Sequence, residues 1–101
     1  MDLGAAIKTI RQQKGIKQNS LAEKCDITQT YLSQIENNIK EPNISTLRNI
    51  SEQLGLPLPI LFFLSLNEKD ISPEKHTAYN HLAPSIKAMI SEFFINVSVV
   101  K

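Results

Sequence analysis

The chain has 101 residues, 42% of them apolar, with 11 Lys and Arg against 10 Asp and Glu. That length accommodates one core plus a short appendage, and a formal charge of +1 gives no general affinity for polyanions, so any nucleic-acid surface must come from placement. The single cysteine, Cys25, excludes a disulfide within the chain and leaves too few soft ligands for a structural zinc site, which fits a reduced, cytoplasmic setting.

Asp2, Lys8 and Arg11 interrupt the N-terminus, which does not read as a signal peptide. The longest apolar run, residues 56–64, carries two prolines and falls far short of the ~20 residues of a membrane span, so no membrane role is expected. Leu3, Ile7 and Ile10 recur at helical spacing and predict a first helix that stops at Gly15, with Lys8, Gln12 and Gln13 turned outward. Lys14 and Lys17 flank that glycine as a local basic patch. Leu21, Ala22 and Cys25 mark a short second helix over residues 18–25. Thr28 is a good N-cap, and Leu32 and Ile35 follow at i+4 and i+7, which predicts a third helix over residues 29–37. Only residues 25–28 separate the two, room for a sharp corner and nothing else.

Asn37 and Asn38 end the third helix, because Asn tolerates the left-handed conformation of a helix C-terminus. Ile44, Leu47, Ile50 and Leu54 predict a fourth helix closed by Gly55, and residues 58–65 a fifth, with Pro59 in its first turn. Residues 67–71 form a polar connector. Ser72-Pro73 then predicts a helix start, and Pro84 its end. Beyond Pro84, Ile86, Met89, Ile90, Phe93, Phe94 and Val97 form a wide apolar stripe that needs a partner.

Two helices joined by a tight corner within a small bundle are the organisation of helix-turn-helix DNA readers. Residues 3 to about 66 resemble the Cro and phage-repressor, or XRE-type, helix-turn-helix domain. The resemblance is carried by Arg11, Gln18, Leu21-Ala22, Ile27-Thr28, Leu32, Ile35-Glu36-Asn37, Pro42, Leu47, Ile50 and Leu54-Gly55. It implies an all-α, lambda-repressor-like bundle of five helices over residues 1–66, to which the change of composition after Leu66 adds a linker over 67–71 and a C-terminal helical segment over 72–101. The spacing of the last segment predicts a helical hairpin whose Ile86, Met89, Ile90, Phe93 and Val97 pair two copies.

In such a fold the third helix enters the major groove. With Leu32 and Ile35 inward, Gln29, Thr30, Ser33 and Gln34 turn outward, where a Gln amide can bond adenine N6 and N7 and a Thr methyl can meet a thymine methyl. The resemblance gives Gln18 a phosphate contact and the bracing of Gln29, and makes Arg11 and Glu36 an ion pair between the first and third helices. Asn37 and Lys40 stand where the next phosphates would be met, and Tyr31 can offer its hydroxyl to the backbone. The sequence departs from the family pattern at Asp26 and Asn38, where glycine is usual, and at Lys17, where a capping side chain is common.

Without the surrounding pattern, Gln29, Thr30, Ser33 and Gln34 would be a solvated helix face. Cys25 reads as a core residue and His76 and His81 as solvated. Glu36 and Asp26 lack the His, Ser or Lys partners of a catalytic pair, and neither an enzyme activity nor a cofactor or metal is expected. The function expected is a repressor binding double-stranded, roughly palindromic DNA as a homodimer. The competing expectation is an antitoxin-like module whose C-terminal part masks a protein partner.

Overall fold

The computed structural model describes residues 1–96, which are helical with no strand among them. Five helices follow in order: α1 (Leu3–Gln13), α2 (Gln18–Lys24), α3 (Gln29–Glu36), α4 (Ile44–Leu54) and α5 (Leu58–Ser65). Side chains near the termini fix several of these boundaries. Asp2 accepts from the Ala5 N–H at 2.9 Å to start α1, Thr28 from Tyr31 at 3.0 Å to start α3, and Asn43 from Thr46 at 2.8 Å to start α4. Lys17 starts α2 from an extended conformation with no side-chain cap. Gly55 ends α4 at φ +77°, and Asp26 and Asn38 take the left-handed conformation at φ +58° and +59° where glycine is usual.

The apolar faces meet in one core. Ile7, Leu21, Leu32, Ile35, Ile50, Leu54 and Leu61 are each less than 2% exposed, worth roughly 1.5–3 kcal/mol apiece. α1 lies across α3 and α5, and the Asp2 N–H donates to the Ser65 carbonyl at 2.8 Å.

The C-terminal region corrects the hairpin expectation. After a 3₁₀ turn at Glu68–Asp70 and another at Pro73–Lys75, a single helix α6 (His76–Ile90) runs through Pro84 and continues as a π turn, Ser91–Ile95. An interior proline removes one helical hydrogen bond and crowds the preceding turn, costing about 3 kcal/mol. Burial on both sides offsets this: Ala83 and Ile90 are each 5% exposed, and Ile90 and Ile95 join the core built by α1–α5. The first half of α6 is held by Tyr79, whose hydroxyl donates to the Leu66 carbonyl at 3.3 Å, and by Asn80, whose amide donates to Glu68 at 2.7 Å. Ser72, expected to cap a helix, makes no side-chain cap bond.

Ile90 therefore faces its own core and leaves the expected pairing stripe. The sequence periodicity could not separate it from Ile86 and Met89, because the apolar arc of α6 is wider than the face it buries. Leu82, Ile86, Met89 and Phe93 are 54%, 39%, 58% and 74% exposed and follow one another at spacings of four, three and four. Val97 lies outside the described residues.

Candidate nucleic-acid interface

α2 and α3 meet at a corner of four residues, 25–28, closed by the Ile27 N–H donating to the Ala22 carbonyl at 3.0 Å. Leu32, Ile35 and Glu36 take the inner side of α3. Gln29 and Thr30 are exposed and Ser33 and Gln34 half-exposed, and with Gln18 they line a shallow cleft of about 290 Å³. The outward set on α3 thus forms one neutral, hydrogen-bonding surface.

A buried network supports it from behind. Arg11, 8% exposed, donates from Nε to Glu36 Oε2 at 2.7 Å and from Nη2 to Glu36 Oε1 at 3.0 Å, a bidentate pair linking α1 to α3. Its Nη1 donates to the Ile16 carbonyl at 2.9 Å, which ties in the turn before α2. Gln18 Nε2 donates to Glu36 Oε1 at 3.0 Å, and Gln29 Nε2 donates to Gln18 Oε1 at 3.3 Å. Four side chains from three helices, with the Ile16 carbonyl of the intervening turn, thereby connect the core to the first residue of the exposed face. Because desolvation offsets much of the attraction of a buried pair, its effect is chiefly to fix orientation.

The remaining expected residues are arranged less uniformly. The Tyr31 ring packs partly against the core. Asn37 folds its amide back onto α3, donating to the Ser33 carbonyl at 2.9 Å, while Lys40 is exposed. Lys14, expected in a basic patch at the Gly15 turn, reaches away from it: its Nζ lies near Gly55, at the C-terminal end of α4, where a cation meets the negative end of the helix dipole. Burial pushes the Cys25 thiol above its ordinary pKa, consistent with a core side chain.

Sequence reasoning missed a second clamp, at the far end of α3. Asn38 donates from Nδ2 to Asp2 Oδ1 at 2.7 Å and accepts the Gly4 N–H at 3.2 Å. Gly4 lies so close to α3 that a Cβ there would stand 2.7 Å from the Glu36 carbonyl oxygen and 2.6 Å from Asn38 Oδ1. The available signal was a glycine in the first turn of a helix, where no turn needs one.

Two short helices at a tight corner, the second carrying a braced polar face, define the helix-turn-helix class of DNA-binding regulators. The sequence profile of the helix-turn-helix family matches residues 7–61, and the chain belongs to that family, in its Cro and phage-repressor branch. It matches a family of regulators and not one of enzymes. The chain is 31% identical over 80 residues to an immunity repressor protein of Bacillus phage phi105, covering 79% of this chain and 53% of the repressor. It is 33% identical over 78 residues to the antitoxin HipB of Escherichia coli, covering 77% of this chain and 83% of the antitoxin. The chain thus spans about half the length of the phage repressor. Among solved structures, the clp gene regulator ClgR from Corynebacterium glutamicum shares the fold, with a TM-score of 0.63 at 21% identity over 94% of this chain and 93% of that one. Among the described residues no His, Cys, Asp and Glu cluster fits a metal ion, and no helix is long and apolar enough to cross a membrane.

Proposed function

We propose that the protein is a sequence-specific repressor that binds a roughly palindromic operator as a homodimer in the cytoplasm and acts by occupying a promoter. The observation that carries this reading is the exposed Gln29 amide at the head of the polar face of α3, held by the Arg11–Glu36–Gln18 network: an exposed amide gains nothing from such bracing unless its orientation matters. Gln29, Thr30, Ser33 and Gln34 are the base-reading set, and Gln18, Tyr31, Asn37 and Lys40 the contacts to the backbone.

The partner in this reading is a second copy. Leu82, Ile86, Met89 and Phe93 form a stripe that is self-complementary about a two-fold axis between Ile86 and Met89. Burying it would pair two α3 helices for half-sites about 34 Å apart. The resemblance to an antitoxin supports a second reading, in which the same stripe docks a different protein and the helix-turn-helix serves autoregulation.

Selection from a pool of random duplexes tests the proposal. The repressor reading expects enrichment of an inverted repeat, with Gln29→Ala and Gln34→Ala each losing about 1–3 kcal/mol on that site and almost nothing on random DNA. Equal losses on both, or no enrichment, would refute it. Copurification with a second protein in fixed ratio would favour the antitoxin reading.

A further inference from the structure

We propose that Glu36, acting through Gln18, sets the donor and acceptor order of the Gln29 amide and so selects adenine over guanine at the base Gln29 meets. This rests on the reading of Gln29 as a base contact.

Donors and acceptors can be followed along the network. Both oxygens of Glu36 accept from Arg11 in a bidentate ion pair, and a carboxylate so paired only accepts. Gln18 must therefore turn its NH₂ toward Glu36, the arrangement found at 3.0 Å. Its carbonyl oxygen is left at the other end, and only a donor can meet it. Gln29 accordingly presents its NH₂ to Gln18, at 3.3 Å. One N–H of Gln29 is spent inward, which leaves one N–H and the carbonyl oxygen for the groove.

That outward pair matches adenine, which offers an acceptor at N7 and a donor at N6. Guanine offers acceptors at both N7 and O6, so the Gln29 carbonyl would face a second oxygen. An unbraced glutamine can turn its amide over and offer both N–H groups to guanine. A charge in the core thus determines which purine a neutral surface amide prefers.

Gln18→Lys tests this by reversing the polarity. The ammonium still donates to Glu36, but it has no acceptor for Gln29 and can only donate to it. Gln29 then turns its carbonyl inward and both N–H groups outward. The operator recovered from random duplexes is used as a set of single-base variants, with full-length wild type, Gln29→Ala, Gln18→Lys and Gln18→Met. Gln29→Ala locates the base pair that Gln29 meets. At that pair, Gln18→Lys should lower the adenine-to-guanine affinity ratio by at least about fivefold, the low end for one bidentate contact. Gln18→Met, which removes the brace without reversing it, should bring the ratio toward one, and it decides the question if Gln18→Lys does not fold. Wild-type ratios in the folded Gln18 variants would overturn the proposal and leave the base contact standing. If Gln29→Ala changes the ratio at no position, the base contact itself fails and the proposal with it.

Discussion

Replacing Gly4 by alanine sets two effects of opposite sign against each other. On propensity alone the change favours a helix, by roughly 0.5–1 kcal/mol. In the structure the new methyl would meet the carbonyl oxygens of Ile35 and Glu36 and the Asn38 side chain, the last two at 2.7 and 2.6 Å, where ordinary contact begins near 3.4 Å. Two of the three obstacles are backbone, so α1 must withdraw from α3 by several tenths of an ångström. That movement strains the Gly4 to Asn38 bond, now 3.2 Å, and the Arg11–Glu36 pair two turns along. Overpacking of this kind costs about 1–3 kcal/mol and outweighs the propensity gain. The net destabilisation expected is about 1–2 kcal/mol, a fall in Tm of roughly 4–16 °C for a domain of this size. Thermal and urea unfolding followed by circular dichroism measure it. A Tm equal to or above wild type would show that propensity prevails and that α1 does not approach α3 as described.

Glu36→Ala should cost about 3–5 kcal/mol in urea unfolding by leaving Arg11 buried without its carboxylate, whereas replacing both residues by Met and Leu should cost much less. Asp26→Gly should raise Tm by a few degrees by relieving a left-handed aspartate, while Asn38→Gly at nearly the same φ should not, because it also loses the bonds to Asp2 and Gly4. Hydrogen bonds from Asn38 and the Ala5 N–H hold the Asp2 carboxyl below its ordinary 3.8, so its contribution is present above that value and lost as pH falls through the lower folded pKa. An NMR titration should find the Asp2 pKa rising in Asn38→Ala. Met89→Asp should leave the helical content intact yet sediment as a monomer and weaken operator binding; an unchanged dimer would place the interface elsewhere.

Helices α1 to α5 were legible because boundary signals and periodicity agree: Thr28 caps the helix it precedes, Gly55 ends one, and Leu32 with Ile35 show which side of α3 faces inward. The Arg11–Glu36 pair and the Gln18 brace were accessible only through family resemblance, since residues 25 apart announce no contact by spacing. The contact of Gly4 with Asn38 escaped because a close approach between helices leaves only an absent side chain as its trace. Pro84 misled the division of the C-terminal segment, because a local rule about proline says nothing of what Ala83 and Ile90 gain by burial beside it. The same blindness to tertiary context assigned Ile90 to an outer seam.

The inward side of α3 rests on Leu32, Ile35 and Glu36, while Gln29, Thr30, Ser33 and Gln34 carry little of the fold's stability. Mutations at those four positions are therefore nearly free of a folding penalty, and the surface can drift in sequence while the scaffold stays under constraint. On the proposed reading of these four as the base contacts, gene duplication would yield descendants with one architecture and different addresses on the genome. Two such copies can coexist in a cell without crosstalk once a few neutral side chains differ. Divergence that stays among neutral side chains also leaves the net charge unchanged, since the present face carries no ionised group.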